Sequence, residues 1–246
     1  MKPSIIYGYH PLREALRADK LSLDSIYIAK QLKEEGKRTK EILSLAYMKG
    51  IPVKRIEKRE LSKMTGVLTH QGFAAKIEPF IYTELNEILA QSSPLTLLAL
   101  DSIMDPQNLG AVIRSSHCMG MKGILLPTHR AAHITPTVIK ASAGAVFHTL
   151  IAKVINLAHT LDIVKRKGLW VYGLSMDGTI PLFKTDLPDN LVLVVGGEEK
   201  GIRPVIRKRC DELLFIPMFG RIESLNLSAA CSVAFYEIVR QRELKC

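Results

Sequence analysis

Apolar residues recur with two alternating periods through the first 78 positions, every second residue in some segments and every third or fourth in others, so strands and helices alternate. Leu23 to Ile28 and Gly72 to Ile77 read as strands, and Ile51 to Ile56 as another that starts beside Pro52. His10-Pro11-Leu12-Arg13-Glu14-Ala15-Leu16 opens a helix with proline in its first turn. Glu34 to Lys49 carries a helical period that Gly50 ends, and Glu57 to Met64 forms a shorter helix. So many short elements in residues 1–78 predict a small α/β sandwich, the size of an RNA-binding module. A polar helix over 83–91 and the run Ser92-Ser93-Pro94 follow, and residues 79–94 read as a linker.

From Leu95 onward the apolar runs become continuous, the mark of strands buried on both faces of a parallel sheet. Strands are expected at 95–100, 123–126, 169–173, 191–195 and 213–216. Helices are expected at 108–119, 135–142, 155–167, 204–209 and 224–244. The alternation predicts a doubly wound α/β domain over 95–246, which binds ligands at the carboxyl ends of its strands.

Composition narrows the function classes. No apolar run approaches the roughly 18–20 residues of a spanning helix, and Met1-Lys2-Pro3-Ser4 lacks the apolar stretch of a signal peptide. A cytoplasmic protein with no membrane association is expected. Cys118, Cys210, Cys231 and Cys246 form no CxxC pair, so buried reduced thiols are expected, with Cys246 a free tail residue. Histidines such as His70, His117, His133 and His148 lack metal-ligand spacing, and no metal is expected. The formal charge of +10 is unevenly spread. Residues 1–78 carry 16 Lys and Arg against 9 Asp and Glu, an excess of +7, whereas the remainder carries 18 against 15, an excess of +3. A basic leading module suits a polyanion, since neutralised phosphates release counterions.

Three loops that follow strands carry the candidate chemistry. In Asp101 to Arg114, Asp105-Pro106 and Asn108 are turn and cap residues, Gly110 permits close backbone approach, and Arg114 lies one helical turn beyond it. Arg114 serves either a site at the helix start or a surface ion pair. In Val194 to Pro204, Gly196-Gly197-Glu198-Glu199-Lys200-Gly201 nearly spells a phosphate loop, but Ile202 and Arg203 stand where its lysine and hydroxyl belong. An NTPase is excluded, and the GxGxxG spacing of a dinucleotide site is absent. The paired carboxylates suit a ligand with hydroxyls or a positive centre. In Ile216 to Ser228 a strand end, a turn at Gly220 and the polar residues Ser224, Asn226 and Ser228 lead into the last helix. Ser224 or Asn226 caps that helix, and its free N–H groups are open to a ligand. Gly173-Leu174-Ser175-Met176-Asp177 misses the second glycine of a nucleophile elbow.

In this order the loops resemble the three signature motifs of the SpoU family of RNA ribose 2′-O-methyltransferases, in the SPOUT superfamily. Asp105-Pro106-x-Asn108-x-Gly110-x-x-x-Arg114 matches the first, Gly196-x-Glu198-x-x-Gly201 the second, and Ile216-Pro217-Met218-x-Gly220-x-x-x-Ser224-Leu225-Asn226-x-Ser228 the third. Residues 1–78, with Tyr7-Gly8 and His70-Gln71-Gly72, resemble the family's L30e-like substrate-binding domain. The match is best to the branch that methylates 23S rRNA guanosine.

The resemblance implies S-adenosylmethionine as methyl donor, a C-terminal trefoil knot, a homodimer and an RNA substrate. Gly196, Ile216, Met218 and Leu225 would hold the cofactor, and Asn108, Arg114, Glu198, Ser224 and Asn226 would surround the reacting ribose. Family chemistry gives Arg114 the 2′-OH proton. A guanidinium is normally a cation, so the alternative has Arg114 clamp a phosphate while Ser224, Asn226 or water relays the proton. Ala229, Ala230, Ser232 and Ala234 would let the last helix pack closely, either on a partner or within the chain. Glu199 stands where many relatives have glycine, and Cys231-Ser232 replaces a small pair. The same reaction on tRNA or another rRNA nucleotide, and a non-catalytic ribosome-assembly factor, are the alternatives.

Overall fold

The computed structural model describes residues 4–18 and 21–245, and the chain divides into two compact units. The expectations for Met1-Lys2-Pro3 and for Cys246 lie outside the described residues.

The first unit contains the residues up to Ile81. Its elements are β1 (Ser4–Tyr7), α1 (Tyr9–Arg17), β2 (Leu23–Ala29), α2 (Lys37–Met48), β3 (Val53–Ile56), α3 (Lys58–Thr65) and β4 (Phe73–Ile77). The sheet runs β1-β4-β2-β3, with β4 antiparallel to both neighbours and β2 parallel to β3. Alternation sorts its side chains. Ile5, Tyr7, Tyr27 and Ala29 pack with Leu61 of α3, which puts the intervening Ile6, Ile26 and Ile28, all fully buried, on the opposite face. Burial contributes about 1.5–3 kcal/mol for each such side chain. β1, four residues directly before α1, has no counterpart in the sequence reading.

A second stretch, His133–His148, belongs to this unit. It carries Pro136–Ala141, α6 in chain order, capped by the Thr135 side chain. Its Lys140 lies over the Tyr7 ring at 5.8 Å, and His148 Nε2 meets Glu14 Oε2 at 3.0 Å. The sequence reading carried 135–142 with the residues from 95 onward. The structure packs it instead against α1 and β1.

The second unit, Tyr82–Ala132 and Thr149–Cys246, is built on a parallel sheet. Its strands are β5 (Thr96–Asp101), β6 (Gly123–Pro127), β7 (Ile151–Val154), β8 (Trp170–Leu174), β9 (Ile180–Pro181), β10 (Leu191–Gly196) and β11 (Glu212–Phe215). They lie in the order β7-β6-β5-β10-β8-β11-β9, and every pairing is parallel. All six residues of β5 and of β10 are buried, as continuous apolar runs require. The helices are α4 (Leu85–Leu89), α5 (Pro106–Cys118), α7 (Leu157–Arg166), α8 (Pro204–Arg207) and α9 (Leu227–Lys245).

Three expectations change here. Residues 82–94 are no free linker, because Ile88 of α4 is fully buried in the core with Leu97 and Leu125. The strands β7 and β9 went unread, each being a short edge strand. The last helix begins at Leu227 rather than 224, since Asn226 is its cap.

Candidate functional site

The sequence motifs meet at the carboxyl ends of β5, β10 and β11. Asp105 caps α5, accepting from Gln107 N at 3.1 Å and Asn108 N at 3.0 Å, with Pro106 in the first turn. The cap fixes Asn108 at the helix start. Beyond β10 the chain doubles back tightly. A Cβ on Gly196 would lie 2.0 Å from the Gly201 carbonyl carbon, and one on Gly197 would lie 2.5 Å from Ser102 O, so both positions exclude any side chain.

Fully buried Asp101 anchors this loop. It accepts from Arg203 N at 2.8 Å and Arg203 Nε at 2.7 Å, which compensates its charge. Sequence reasoning left this pair unassigned, although an acid ending an otherwise apolar strand was its signal.

Asn108, Glu198 and Asn226 form one hydrogen-bonded group. Asn108 Nδ2 donates to Glu198 Oε1 at 2.6 Å, and Asn226 Nδ2 donates to the same oxygen at 3.3 Å and to Asn108 Oδ1 at 3.2 Å. One residue from each motif contributes. The other side of Asn226 caps α9, its Oδ1 accepting from Ser228 N at 2.9 Å and Ser228 Oγ at 2.7 Å. Of the two cap candidates Asn226 fills the role and Ser224 does not. Ser232 Oγ donates to Ser115 Oγ at 2.9 Å and joins α9 to α5, while Ala229 is exposed and Ala230 lines the cavity described next.

These loops enclose a cavity of about 770 Å³. Gly196, Ile216, Met218 and Leu225 line it, as do Glu198, Ser224 and Asn226. Met218 and Leu225 remain 36% and 41% exposed, so apolar surface is left uncovered inside it. The backbone N–H groups from Met218 to Leu225 bond to no described residue. Glu198, Glu199 and Glu223 sit on the lining and form no ion pair among the described residues. Apolar walls, open backbone donors and uncompensated carboxylates fit a ligand that combines an apolar part, hydrogen-bonding groups and a positive centre. The volume falls in the ordinary range of about 300–1,000 Å³ for small-molecule sites.

Other expected residues are placed differently. Arg114 is exposed on α5, outside the cavity lining, and makes no hydrogen bond or ion pair with a described residue. Gly220 has an ordinary φ and open space for a Cβ, so the turn there does not require glycine. Cys118 is exposed, contrary to the expectation of buried thiols, whereas burial pushes Cys210 up to about 11 and Cys231 up to about 12. Ser175, Asp177 and Arg207 also line the cavity. Sequence reasoning passed over them because it tested that turn only as a nucleophile elbow.

Comparison with known proteins agrees with this geometry. The SpoU rRNA Methylase family model matches residues 95–236, and the RNA 2′-O ribose methyltransferase substrate-binding model matches residues 5–83. The 23S rRNA (guanosine-2′-O-)-methyltransferase RlmB of Acinetobacter baylyi is 35% identical over 246 residues, covering 98% of each chain. An uncharacterized tRNA/rRNA methyltransferase of Synechocystis is 38% identical over 243 residues, 97% of this chain, which spans only 62% of that relative's length. The SpoU methyltransferase AviRb of Streptomyces viridochromogenes, solved with AdoMet, shares the fold at a TM-score of 0.81 and 22% identity over 98% of this chain and 90% of its own. Matched by both models and by full-length relatives, the chain belongs to the SpoU rRNA methylase family.

Proposed function

We propose that this protein is an RNA methyltransferase that transfers a methyl group from S-adenosylmethionine to the ribose 2′-OH of a guanosine in 23S rRNA. The observation that carries the reading is the Asn108–Glu198–Asn226 group at the edge of the 770 Å³ cavity. Residues far apart in sequence converge there with the hydrogen-bonding capacity to position a ribose. The 35% identity to an RlmB enzyme along 98% of both chains supports 23S rRNA over tRNA.

S-adenosylmethionine supplies the methyl group. Gly196 and the backbone of 218–225 would line its site, Ile216, Met218 and Leu225 would cover its apolar part, and the unpaired carboxylates would favour its positive centre. Glu198 and the two amides orient the acceptor ribose, and much of the acceleration comes from that positioning. Arg114, free of any carboxylate among the described residues, clamps an RNA phosphate beside the reacting nucleotide. The Ser224 hydroxyl, hydrogen-bonded to no described residue, takes the 2′-OH proton as it hands its own to water, while loss of the methyl turns the sulfonium into a neutral thioether.

The basic first unit captures the RNA fold, and the second unit takes a splayed nucleotide. The reading also includes a homodimer, a cytoplasmic location and a C-terminal segment threaded through an earlier loop as a trefoil knot.

Purified protein tests this directly. S-adenosylmethionine should bind with a stoichiometry of one per chain in calorimetry, and labelled methyl should enter 23S rRNA at a guanosine ribose. Cofactor binding with methyl incorporation only into tRNA would move the substrate. Absence of cofactor binding would remove the activity altogether.

A further inference from the structure

The turn after β8 contributes a second polar group to the cavity, separate from Asn108, Glu198 and Asn226. Ser175 Oγ donates to Asp177 Oδ1 at 2.5 Å, and Arg207 Nη1 donates to Asp177 Oδ2 at 2.5 Å. Arg207 Nη2 also reaches the Asp177 carbonyl oxygen at 3.4 Å. All three residues line the cavity.

The turn is built firmly. Ser175 N donates to Leu214 O at 2.9 Å and Thr179 N to Leu213 O at 2.9 Å, which ties both ends of the turn to β11. A Cβ on Gly178 would lie 2.6 Å from the Leu214 carbonyl, so the chain passes directly against that strand. The Asp177 side chain nevertheless remains 65% exposed. Its carboxylate is therefore fixed by neighbours and open to a ligand.

We propose that the Asp177 carboxylate accepts the ribose diol of the bound cofactor, held in position by Ser175 and Arg207. This rests on the reading that the cofactor is S-adenosylmethionine.

Hydrogen-bond capacity selects a diol. Each carboxylate oxygen uses one lone-pair direction on Ser175 or Arg207 and keeps another, giving two side-by-side acceptors. Vicinal hydroxyls present two donors at that spacing. Charge excludes the alternative, because Arg207 compensates Asp177 and its guanidinium repels a sulfonium or an ammonium. Those positive groups find better partners in Glu198, Glu199 and Glu223, which carry no ion pair among the described residues. The Ser175 hydroxyl, first, and then Arg207 hold the Asp177 carboxyl below the usual carboxylate range, so it stays an acceptor at neutral pH.

Topology agrees. β8 neighbours β10, whose end carries Gly196 and Gly197. An acid one strand away from a glycine turn is how doubly wound sheets hold a nucleoside ribose. Here the acid is placed by a different turn, with an arginine and a serine supporting it.

The test measures binding of S-adenosylhomocysteine and of its 2′-deoxy counterpart by calorimetry, in the full-length parent and in Asp177→Ala. The parent should bind the deoxy compound about tenfold more weakly, and Asp177→Ala should bind S-adenosylhomocysteine about ten- to a hundredfold more weakly. In the variant the two ligands should bind alike, because the acceptor is gone. Asp177→Asn, which keeps the shape of the turn, replaces the alanine variant if that one fails to fold; it should lose part of the discrimination. Parent-like affinity in both variants, or an undiminished deoxy penalty, would overturn the assignment while leaving the proposed activity standing. Failure of the parent to bind S-adenosylhomocysteine would overturn the proposed activity and this assignment together.

Discussion

Asn226 does two jobs with two atoms, and substitutions separate them. Its Oδ1 caps α9 through Ser228 N, while its Nδ2 reaches Glu198 and Asn108. Asn226→Ala removes both functions. Loss of the cap costs about 1 kcal/mol, and the two exposed hydrogen bonds add about 0.5 kcal/mol each, the low end of their range. The total is about 2 kcal/mol, and at about 2–4 °C per kcal/mol for a chain of this size Tm should fall by about 4–8 °C. Asn226→Ser retains a good cap but cannot reach Glu198. Its Tm should fall by only about half as much, because the cap accounts for about half of the loss. Turnover with saturating S-adenosylmethionine and RNA should drop about a hundredfold in both variants, the scale at which misplacement by about an ångström is felt. Thermal melts paired with initial rates decide the matter. If Asn226→Ser recovers turnover in step with Tm, the alanine defect is one of folding, and the amide has no part in the site.

Other expectations follow from the same geometry. Arg114→Ala should abolish methyl transfer while calorimetric binding of S-adenosylmethionine stays within about twofold of the parent, and Arg114→Lys should not restore it if a bidentate clamp is needed; near-parental turnover in the alanine variant would remove Arg114 from the chemistry. Gly196→Ala should cost about 1–3 kcal/mol and eliminate cofactor binding, since its Cβ would overlap the Gly201 backbone; a parental Tm with intact binding would refute the close approach. Fully buried His70 accepts from Gly72 N at Nδ1 and faces Ser62 Oγ at 2.9 Å with Nε2, an arrangement that needs the neutral ring. Burial, then Lys58, lowers its pKa, so the unfolded chain binds the proton more readily and stability should fall as pH drops below about 6.5. Melts from pH 5 to 8 should show this loss in the parent and a flatter profile in His70→Gln; equal slopes would clear His70 of the effect.

Sequence carried furthest at the central strands of the second unit. Continuous apolar runs at 96–101 and 191–196 can only be central strands, and the polar segments after them had to lie at one edge of the sheet. Glycine spacing, caps and short amides marked the three loops, and their resemblance to the SpoU motifs implied that they form one site. Periodicity was silent where elements are short or contacts are long-range. β1, β7 and β9 have no counterpart in the sequence reading, and Ile88 reads as part of a polar segment although Leu97 and Leu125 bury it. The association of 133–148 with the first unit rests on contacts such as Glu14 with His148, which no local pattern announces. Asp177 was visible as a residue, but its role depends on Arg207, which a separate helix brings to it.

The central claim is methylation of a guanosine ribose in 23S rRNA, and a map of 2′-O-methylated nucleotides in cells with and without this gene addresses it most directly. One 23S guanosine should lose its ribose methyl in the deletion, regain it with the parent chain and not with Arg114→Ala. An unchanged 23S map, or a loss confined to tRNA, would contradict the claim.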